Sequence, residues 1–480
     1  MSFKANSAYA PPHPVLHVAR ILSAAVIAFG AVCYIPLRDG LLPMEILYAL
    51  IPLYLLTHIL PYLLQTRIPR PHNPNLQGGV LPPLSFSHSR HTLRICAHGV
   101  EILRIFLLSA AVAILYHLIR LPLLWTGRWA DWLISAGVAV AVLAAVFWNG
   151  MLCLYINSIQ LGIKWRVIGA LCGMIPIAQL IALRHIMKVV DAEVETECAR
   201  ITLNNERQDQ RVCATKYPIL MVHGAFFRDV KRLNYWGRIP LELAVNGATV
   251  HYGNHQSAAP LRESAGELAE RIRGIVEETG CEKVNIIAHS KGGLDIRTAL
   301  AYEGIALYVA SVTTVNTPHR GCEFAEFLLE KAPDSLRDKV AKTYNNAARL
   351  LGDHEPDFLA AIRDLTASSC ARFNQETEGE AGHTEGILCR SIGSKMDRAT
   401  GGQFPLNFSY LIAKLFDGPN DGLVSETSAE WGESYTFLTA TGKRGISHGD
   451  VIDLNRTNIE GFDVREFYVE LVADLKERGL

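Results

Sequence analysis

The pattern of apolar and polar positions divides the chain near residue 184. Long apolar runs fill the first part, whereas short apolar segments alternate with amphipathic stretches in the second. A helix needs about 20 mostly apolar residues to cross a bilayer. Five runs in the first part reach or approach that length, at 21–37, 41–64, 105–119, 132–156 and 167–183. The pattern therefore predicts an all-α transmembrane region of about five helices.

The second part of the chain has a different rhythm, typical of an α/β protein. Short apolar segments with the character of buried strands lie at 217–222, 249–252, 283–288, 308–315 and 434–439. Residues 264–280 show helical spacing, and another helix is predicted from Gly292 onward. Strands that alternate with helices favour a mostly parallel sheet with helices on both faces.

Charge is distributed along the same division. Residues 1–184 contain 13 basic and 4 acidic side chains, and residues 185–480 contain 33 and 43. A soluble helical bundle would also be apolar inside, but five long runs with so few acidic residues favour a membrane region. We therefore predict a multi-span membrane domain at 1–190, a charged linker at 191–215 and an α/β domain at 216–480. The basic residues are scattered, so no nucleic-acid-binding patch is predicted.

The orientation of the membrane region depends on the number of spans. Basic residues concentrate in the loop between the second and third runs and near the fifth run, at Arg67, Arg70, Arg90, Arg94, Lys164 and Arg166. Loops rich in Lys and Arg usually face the cytoplasm. Five spans would then put the α/β domain on the extracytoplasmic side, although Arg120 and Arg128 would lie outside as well.

A candidate nucleophile lies where the third predicted strand meets a helix. Ser290 is the centre of the pentapeptide Ala288-His289-Ser290-Lys291-Gly292, which follows the strand at 283–288 directly. Small residues two positions before and after a serine permit the sharp, strained turn that presents its Oγ at the edge of a sheet. The alternative is a helix N-cap hydroxyl, but the strand–serine–helix placement favours a nucleophile.

Acyl transfer also requires donors for a developing oxyanion. The backbone N–H of Lys291, directly after the serine, is one candidate. The turn His223-Gly224-Ala225 follows the first predicted strand, and we expect the N–H of Ala225 to be the second. His223 is expected to shape this loop, not to act as the base.

A serine nucleophile needs a base and a carboxylate, which follow it in the chain in folds of this kind. Asp421 lies in a glycine-bounded turn, and His448 follows the predicted strand at 434–439. A histidine there can take the proton of Ser290 while the carboxylate fixes its tautomer. The competing acids are Asp417 and Asp397, and the competing bases are His319, His354 and His383.

Several segments taken together resemble the bacterial true lipases, the triacylglycerol lipases of the α/β-hydrolase superfamily. The matching segments are VHGAFF at 222–227, NYWGRIPLEL at 234–243, IIAHSKGGLDIR at 286–297, TVNTPHRGCEFA at 314–325, NDGLV at 420–424 and SHGD at 447–450. The resemblance implies an α/β-hydrolase sheet and ester hydrolysis without an organic cofactor. It implies the triad Ser290, Asp421 and His448 and the oxyanion donors Ala225 and Lys291, with His223, Gly224, His289 and Gly292 as supports of the elbow and the oxyanion loop.

The resemblance implies two further features. One is a structural calcium near the catalytic histidine, for which Asp450, two residues after His448, is the candidate ligand. The other is a mobile lid over the serine, for which residues 322–415 offer room. Helical spacing at 325–352 and an apolar face at 407–416 fit a lid, but ordinary core helices have the same pattern.

The sequence therefore favours a membrane-anchored serine lipase or esterase whose partners are lipid esters and the bilayer. A phospholipase or an acyltransferase would use the same triad, because the acyl-enzyme step is shared. A catalytically inactive membrane scaffold is the alternative from another class, although every expected catalytic part is present.

Overall fold

The computed structural model describes residues 14–65, 68–72, 89–172, 176–225, 234–331, 333–350, 356–378, 383–402 and 406–480. The chain divides into two compact units. Residues 5–71 and 88–205 form the first, here the helical unit. Residues 206–480 form the main part of the second, here the sheet unit.

The helical unit contains seven helices among its described residues. They are α1 (Pro14–Val32), α2 (Tyr34–Arg38), α3 (Ile46–Leu64), α4 (Arg90–Ile119), α5 (Trp129–Asn157), α6 (Gly162–Cys172) and α7 (Pro176–Arg207), the last ending just past the unit boundary. Most of the linker predicted at 191–215 is helical, because α7 continues to Arg207.

Four of these helices, α1, α3, α4 and α5, are long and apolar enough to cross a membrane. The fifth predicted span, 167–183, falls instead across α6 and α7, and residues 173–175 between them lie outside the described residues. Among the described residues the number of candidate spans is therefore four where the sequence predicted about five.

The sheet unit is built on six parallel strands. They are β1 (Ile219–Val222), β2 (Val250–Tyr252), β3 (Val284–His289), β4 (Val309–Val315), β5 (Leu388–Ser394) and β6 (Ser434–Leu438). Their order in the sheet is β2-β1-β3-β4-β5-β6, and every neighbouring pair is parallel. The five predicted strands are all present within two residues of their expected ends, and β5 is the strand that the apolar pattern missed.

Helices cover both faces of this sheet, as predicted. They are α8 (Ile239–Val245), α9 (Leu261–Thr279), α10 (Lys291–Tyr302), α11 (Glu323–Lys331), α12 (Asp334–Leu350), α13 (Phe358–Asp364), α14 (Ala367–Glu378), α15 (Leu406–Phe416) and α16 (Val464–Glu477). On one face Ile219 and Met221 of β1 pack with residues of α8 and α16. On the other face Leu220 and Val222 pack with residues of α9 and α10. This alternation follows from the two-residue period of a strand.

β5 escaped the apolar pattern because polar side chains occupy much of it. Arg390 donates from Nε to Thr313 Oγ1 of β4 (2.9 Å) and from Nη1 to Asp474 of α16 (2.6 Å). The Ser391 hydroxyl donates to the carbonyl of Trp431 (2.6 Å). Because these partners come from distant parts of the chain, no local pattern marks the segment as a buried strand.

Candidate active site

The predicted site lies at the place in the sheet where the strand order changes direction. From β1 the chain moves outward to β2, then returns to β3 on the other side of β1. Crevices at the carboxyl ends of parallel strands at such a point are the usual ligand sites of open α/β sheets. The turn at His223 follows β1 and Ser290 follows β3, so the two predicted parts of the site are neighbours.

Ser290 has the strained backbone expected of a nucleophile on a sharp turn. Its φ is 55° and its ψ is −131°, a region that residues with a side chain rarely adopt. A Cβ on Gly292 would lie 2.4 Å from the carbonyl oxygen of His223, and a Cβ on Gly224 would lie 2.7 Å from Ser290 Cβ. Only glycine permits this contact between the elbow and the oxyanion loop.

Gly224 and His289, two of the predicted supports, are joined through Tyr235, for which the sequence predicted no role. The backbone N–H of Gly224 donates to Tyr235 Oη (2.9 Å), and Tyr235 Oη lies 2.6 Å from His289 Nδ1. Burial, together with the nearby His448, holds the pKa of His289 well below its ordinary value. His289 is therefore neutral, and its Nδ1 can accept the tyrosine hydroxyl.

His448 and Asp421 form a buried pair beside the serine turn. His448 Nδ1 lies 2.6 Å from Asp421 Oδ2, and the N–H of His448 donates to the Asp421 carbonyl (2.9 Å). Asp421 Oδ1 accepts the backbone N–H groups of Leu423 (2.9 Å) and Val424 (2.8 Å). Both carboxylate oxygens are thus engaged, and the carboxylate holds the imidazole so that Nε2 remains for chemistry.

The serine and the histidine are near each other without a direct bond. The rings of His448 and His289, the residue before Ser290, have centroids 4.4 Å apart. Both Ser290 and His448 are described, and no hydrogen bond joins Ser290 Oγ to the His448 ring. Such bonds are often long in the free form of an enzyme and shorten when substrate binds.

The competing acids and bases have other surroundings. Asp417 accepts the backbone N–H of Glu323 (2.8 Å), and Asp397 is exposed. His319 is buried against Arg297 and Thr314. His383 lies in the turn before the start of β5, and His354 lies outside the described residues.

The predicted oxyanion donors lie at the ends of the two facing segments. Lys291 is the first residue of α10, so its backbone N–H belongs to the helix turn that has no acceptor within the helix. Ala225 directly follows the Gly224 contact, at the end of the described part of that loop. The two segments are in contact, since a Cβ on Gly224 would lie 2.7 Å from Ser290 Cβ, and an oxyanion hole made by both N–H groups requires such proximity.

The side chain of Lys291 points away from this crevice into a buried polar network. Its Nζ donates to Asp295 Oδ1 (2.6 Å) and to Ser264 Oγ (3.0 Å). Asp295 Oδ2 lies 3.4 Å from His255 Nε2, and the His255 ring stacks on the ring of His223 at 4.0 Å. Burial raises the pKa of Asp295 to about 6, partly offset by the charge of Lys291.

This network ties the helix behind the serine to the oxyanion loop, and sequence reasoning missed most of it. His223 was expected to shape its loop, which agrees with its contacts to the carbonyls of Gly224 (2.9 Å) and His255 (3.1 Å). The only local signal for the rest was the spacing of Lys291 and Asp295, four residues apart on one helix face. Nothing local pointed to His255, because its partners come from other segments.

The geometry around Asp450 does not fit a calcium ion. Calcium takes six to eight oxygen ligands. Here Asp450 Oδ1 accepts from Arg444 Nη2 (2.9 Å), and Oδ2 accepts from the N–H (2.8 Å) and the hydroxyl (2.6 Å) of Ser447. The Arg444 guanidinium thus already supplies a positive charge beside this carboxylate. Among the described residues, no group of three or more His, Cys, Asp or Glu side chains could hold a metal ion.

The segment predicted as a lid contains helices α11 to α15 and the strand β5. Two of its helices, α11 and α15, present apolar side chains at the surface. Phe327 of α11 and Phe416 of α15 have ring centroids 4.7 Å apart. Phe327, Leu411 and Leu415 are exposed, and Leu415 is 82% exposed. These two helices therefore form an apolar surface in the region assigned to the lid, here the α11–α15 surface.

No protein-family model matches the chain. It is 36% identical over 174 residues to a triacylglycerol lipase of Pseudarthrobacter phenanthrenivorans, which covers 34% of this chain and 54% of the relative. A lipase of Bacillus licheniformis in its mature form has 23% identity and a TM-score of 0.41, with 54% of this chain and 92% of that chain covered.

One relative is matched over most of its own length. A triacylglycerol lipase of Vibrio cholerae is 30% identical over 244 residues, which cover 46% of this chain and 75% of the relative. By contrast, the chain spans only about half the length of the Pseudarthrobacter relative. The chain belongs to the triacylglycerol lipase family of the α/β-hydrolase superfamily.

Proposed function

We propose that this protein is a membrane-anchored serine hydrolase that cleaves carboxylic esters of lipids through an acyl-enzyme. The observation that carries the proposal is the strained Ser290 at the change in strand order, with the buried His448–Asp421 pair beside it. Family membership supports ester hydrolysis, and the apolar helical unit supports a substrate found at a membrane.

The first half of the reaction forms the acyl-enzyme. Ser290 Oγ attacks the ester carbonyl carbon while His448 Nε2 takes the hydroxyl proton. Asp421 stabilises the imidazolium because it holds the proton on Nδ1. The N–H groups of Ala225 and Lys291 stabilise the oxyanion of the tetrahedral intermediate. The intermediate collapses, the C–O bond to the alcohol breaks, and His448 gives its proton to the departing alkoxide oxygen.

The second half returns the enzyme to its starting state. Water attacks the acyl carbon while His448 Nε2 takes one of its protons, and the second tetrahedral intermediate expels Ser290 Oγ. His448 then returns the proton to the serine, and the fatty acid leaves. An alcohol in place of water would give acyl transfer by the same steps.

The α11–α15 surface supports a lipid substrate and an interfacial lid. Exposed apolar side chains on neighbouring helices favour contact with a lipid surface. Leu411 and Leu415 would enter the boundary of a bilayer or droplet, and the helices would open the crevice there. The lid thus couples access to Ser290 with arrival at lipid.

We place the catalytic domain on the cytoplasmic side. The extracytoplasmic prediction depended on five spans, whereas the four candidate spans among the described residues would return the chain to its starting side. The loops on that side then carry Arg67, Arg70, Lys164 and Arg166, with few acidic residues. On the opposite side Arg128 is paired with Asp39 (2.6 Å) and Asp131 (2.8 Å). This distribution agrees with the excess of basic residues in cytoplasmic loops.

The cysteines agree with that placement. All ten lie in described residues and all ten are free thiols. Free thiols are the rule in the reducing cytoplasm. Labelling of Ser290 by a membrane-impermeant fluorophosphonate should therefore fail in intact cells and succeed in inside-out vesicles. Labelling in intact cells would contradict the placement.

The test of the function compares Ser290→Ala with the wild type in reconstituted membranes. We expect hydrolysis of short and medium acyl esters to fall by roughly 10⁶-fold. Fluorophosphonate labelling should disappear with it. Ser369→Ala on α14 is the matched control and should retain both. Activity that survives Ser290→Ala would contradict the proposal.

Product analysis separates the related activities. Triacylglycerol and phospholipid vesicles are supplied with and without a short alcohol, and fatty acid, lysolipid and new ester are measured. Fatty acid from triacylglycerol supports a lipase, and lysolipid indicates a phospholipase. A new ester formed in preference to fatty acid indicates an acyltransferase.

A further inference from the structure

The carboxylate of Asp450 holds the loop that carries His448. Asp450 Oδ2 accepts both the N–H (2.8 Å) and the hydroxyl (2.6 Å) of Ser447, the residue directly before His448. Asp450 also donates its own N–H to the Ser447 carbonyl (2.9 Å). The two residues that flank His448-Gly449 are thereby closed into one tight turn.

The same loop is anchored from two other directions. The N–H of Ile446 donates to the Lys395 carbonyl (2.8 Å), and the hydroxyl of Ser394 donates to the Ile446 carbonyl (3.2 Å). The N–H of His448 donates to the Asp421 carbonyl (2.9 Å). The backbone around His448 is therefore held by the end of β5, by Asp421 and by the Asp450 carboxylate.

The anchor formed by the Asp450 carboxylate depends on a positive charge. The Asp450 side chain is 2% exposed, and burying a charged group is costly unless an opposite charge pairs with it. Arg444 supplies the pairing charge from its Nη2, 2.9 Å from Asp450 Oδ1, with its side chain 25% exposed. The backbone of Arg444 is itself held in place, because its carbonyl accepts the N–H of Asp397 (3.3 Å).

We propose that Arg444 is a positioning residue for catalysis, whose guanidinium does the work of a structural cation in the His448 loop. It neutralises Asp450, the carboxylate then holds Ser447, and the turn sets the direction of the His448 ring. Because both carboxylate oxygens already accept hydrogen bonds, a divalent cation would have to displace Arg444 to bind there. Ester hydrolysis therefore does not depend on calcium at this loop. This inference rests on the proposed hydrolase function.

The first experiment removes the guanidinium in the full-length protein reconstituted in membranes. Arg444→Ala is expected to lower kcat for a soluble ester by about 10- to 100-fold with KM unchanged, the range seen when an outer partner of a catalytic group is lost. Arg444→Lys keeps the charge and should recover part of kcat. Added guanidinium ion, far below denaturing concentrations, should restore kcat of the Arg444→Ala variant, whereas calcium should not.

Two controls make the result specific. Arg478 forms a surface ion pair with Asp474 (2.9 Å), and Arg478→Ala should leave kcat unchanged with or without guanidinium. Wild-type enzyme treated with a chelator should keep its activity, and calcium added afterwards should not raise it. Both measurements are made on activity that Ser290→Ala abolishes, so failure of the hydrolase proposal is recognised separately.

Three outcomes would overturn the inference. They are wild-type kcat in Arg444→Ala, loss of wild-type activity to a chelator with recovery on calcium, and rescue of Arg444→Ala by calcium in place of guanidinium. If Arg444→Ala does not fold, Arg444→Gln decides, because it retains N–H donors without the charge. Arg444→Gln should fold and show the reduced kcat, and an unreduced kcat contradicts the role of charge.

Discussion

The helical unit and the sheet unit both contain many large apolar residues, but the helical unit exposes many of them and the sheet unit buries most of them. Among the described residues, 33 of the 38 exposed large apolar side chains belong to the helical unit. The sheet unit instead buries its apolar residues in two layers around the sheet. The proposed membrane region accounts for this difference, because lipid accommodates an apolar surface of that extent and water does not.

Buried charges follow the same rule in both units, although their surroundings differ. In the helical unit Glu101 pairs with Arg20 (2.8 Å) and with Arg104. In the sheet unit Lys291 pairs with Asp295 (2.6 Å). A buried charge without a partner is costly in protein or in lipid. Each unit thus pairs the charges that it buries, although the two units differ in how much apolar surface they expose.

The largest expected effect is on kcat, and it distinguishes a buried charge that takes part in the chemistry from one that only holds helices together. Asp421→Asn should lower kcat by about 10⁴-fold, because an amide does not hold the His448 tautomer or stabilise the imidazolium. Glu101→Gln removes a buried charge from the helical unit and should leave kcat within a few-fold in protein that remains inserted. Steady-state kinetics in membranes measure both. An equal loss in the two variants would remove this distinction.

The next effect concerns stability of the sheet unit. Lys291→Met leaves the Asp295 carboxylate buried without its partner, so the free energy of unfolding should fall by about 3–5 kcal/mol near neutral pH. The urea midpoint of esterase activity measures this. The double variant Lys291→Met with Asp295→Leu is the control and should recover most of the loss. A single variant as stable as the wild type would show that the pair contributes little.

The same pair predicts a pH dependence. Burial raises the pKa of Asp295 to about 6, above that of the unfolded chain, so the folded state binds a proton more tightly. Its contribution to stability is complete below the unfolded pKa of about 4 and is lost as pH rises through about 6. The urea midpoint should therefore contain a component that falls between these values in the wild type. That component should be missing in Asp295→Asn, and its persistence there would assign it to another group.

A smaller effect tests the solvent of each unit directly. Val140 on α5 and Leu307 in the sheet unit are both exposed apolar residues. Val140→Lys should oppose membrane insertion by about 2.5–3.5 kcal/mol. Leu307→Lys should change stability by at most about 0.5 kcal/mol, as surface substitutions do in water. Insertion and unfolding assays on the full-length protein compare them, and equal effects would contradict the difference in solvent.

The smallest effect concerns the α11–α15 surface, where the sheet unit exposes apolar side chains. Leu415→Asp on the α11–α15 surface should lower activity on lipid vesicles by about 3- to 10-fold, because it removes an apolar contact with the interface. Activity on a soluble short-chain ester should not change. Leu307→Asp, away from those helices in the chain, is the control and should alter neither. A loss on the soluble ester would place Leu415 in the folding of the site instead of at the interface.

How much of this was predictable differs between the elements. Four apolar strands of the sheet core were read from local patterns, because burial on both faces of a strand demands a short apolar run. β5 was missed, since Arg390 and Ser391 are buried only with the help of partners far along the chain. The fifth span predicted at 167–183 includes residues 173–175, which lie outside the described residues, so it stays a prediction.

The candidate site shows the same contrast at the scale of single residues. Ser290, Asp421 and His448 were assigned from motif and chain order, because a strand–turn–helix elbow constrains its own residues locally. Tyr235 carried no such signal. It bridges Gly224 and His289 across separate segments, and only their folded proximity reveals its role.

The sequence by itself determined the two classes of structure, the parallel sheet and the order of the candidate triad, because hydrophobic period and turn chemistry are local properties. Only the tertiary structure decided which polar groups meet. It paired Lys291 with Asp295 and gave Asp450 an arginine where family resemblance alone implied calcium. The physical reason is that a buried charge is stabilised by whatever opposite charge the fold brings within a few ångströms. A linear pattern does not encode that distance.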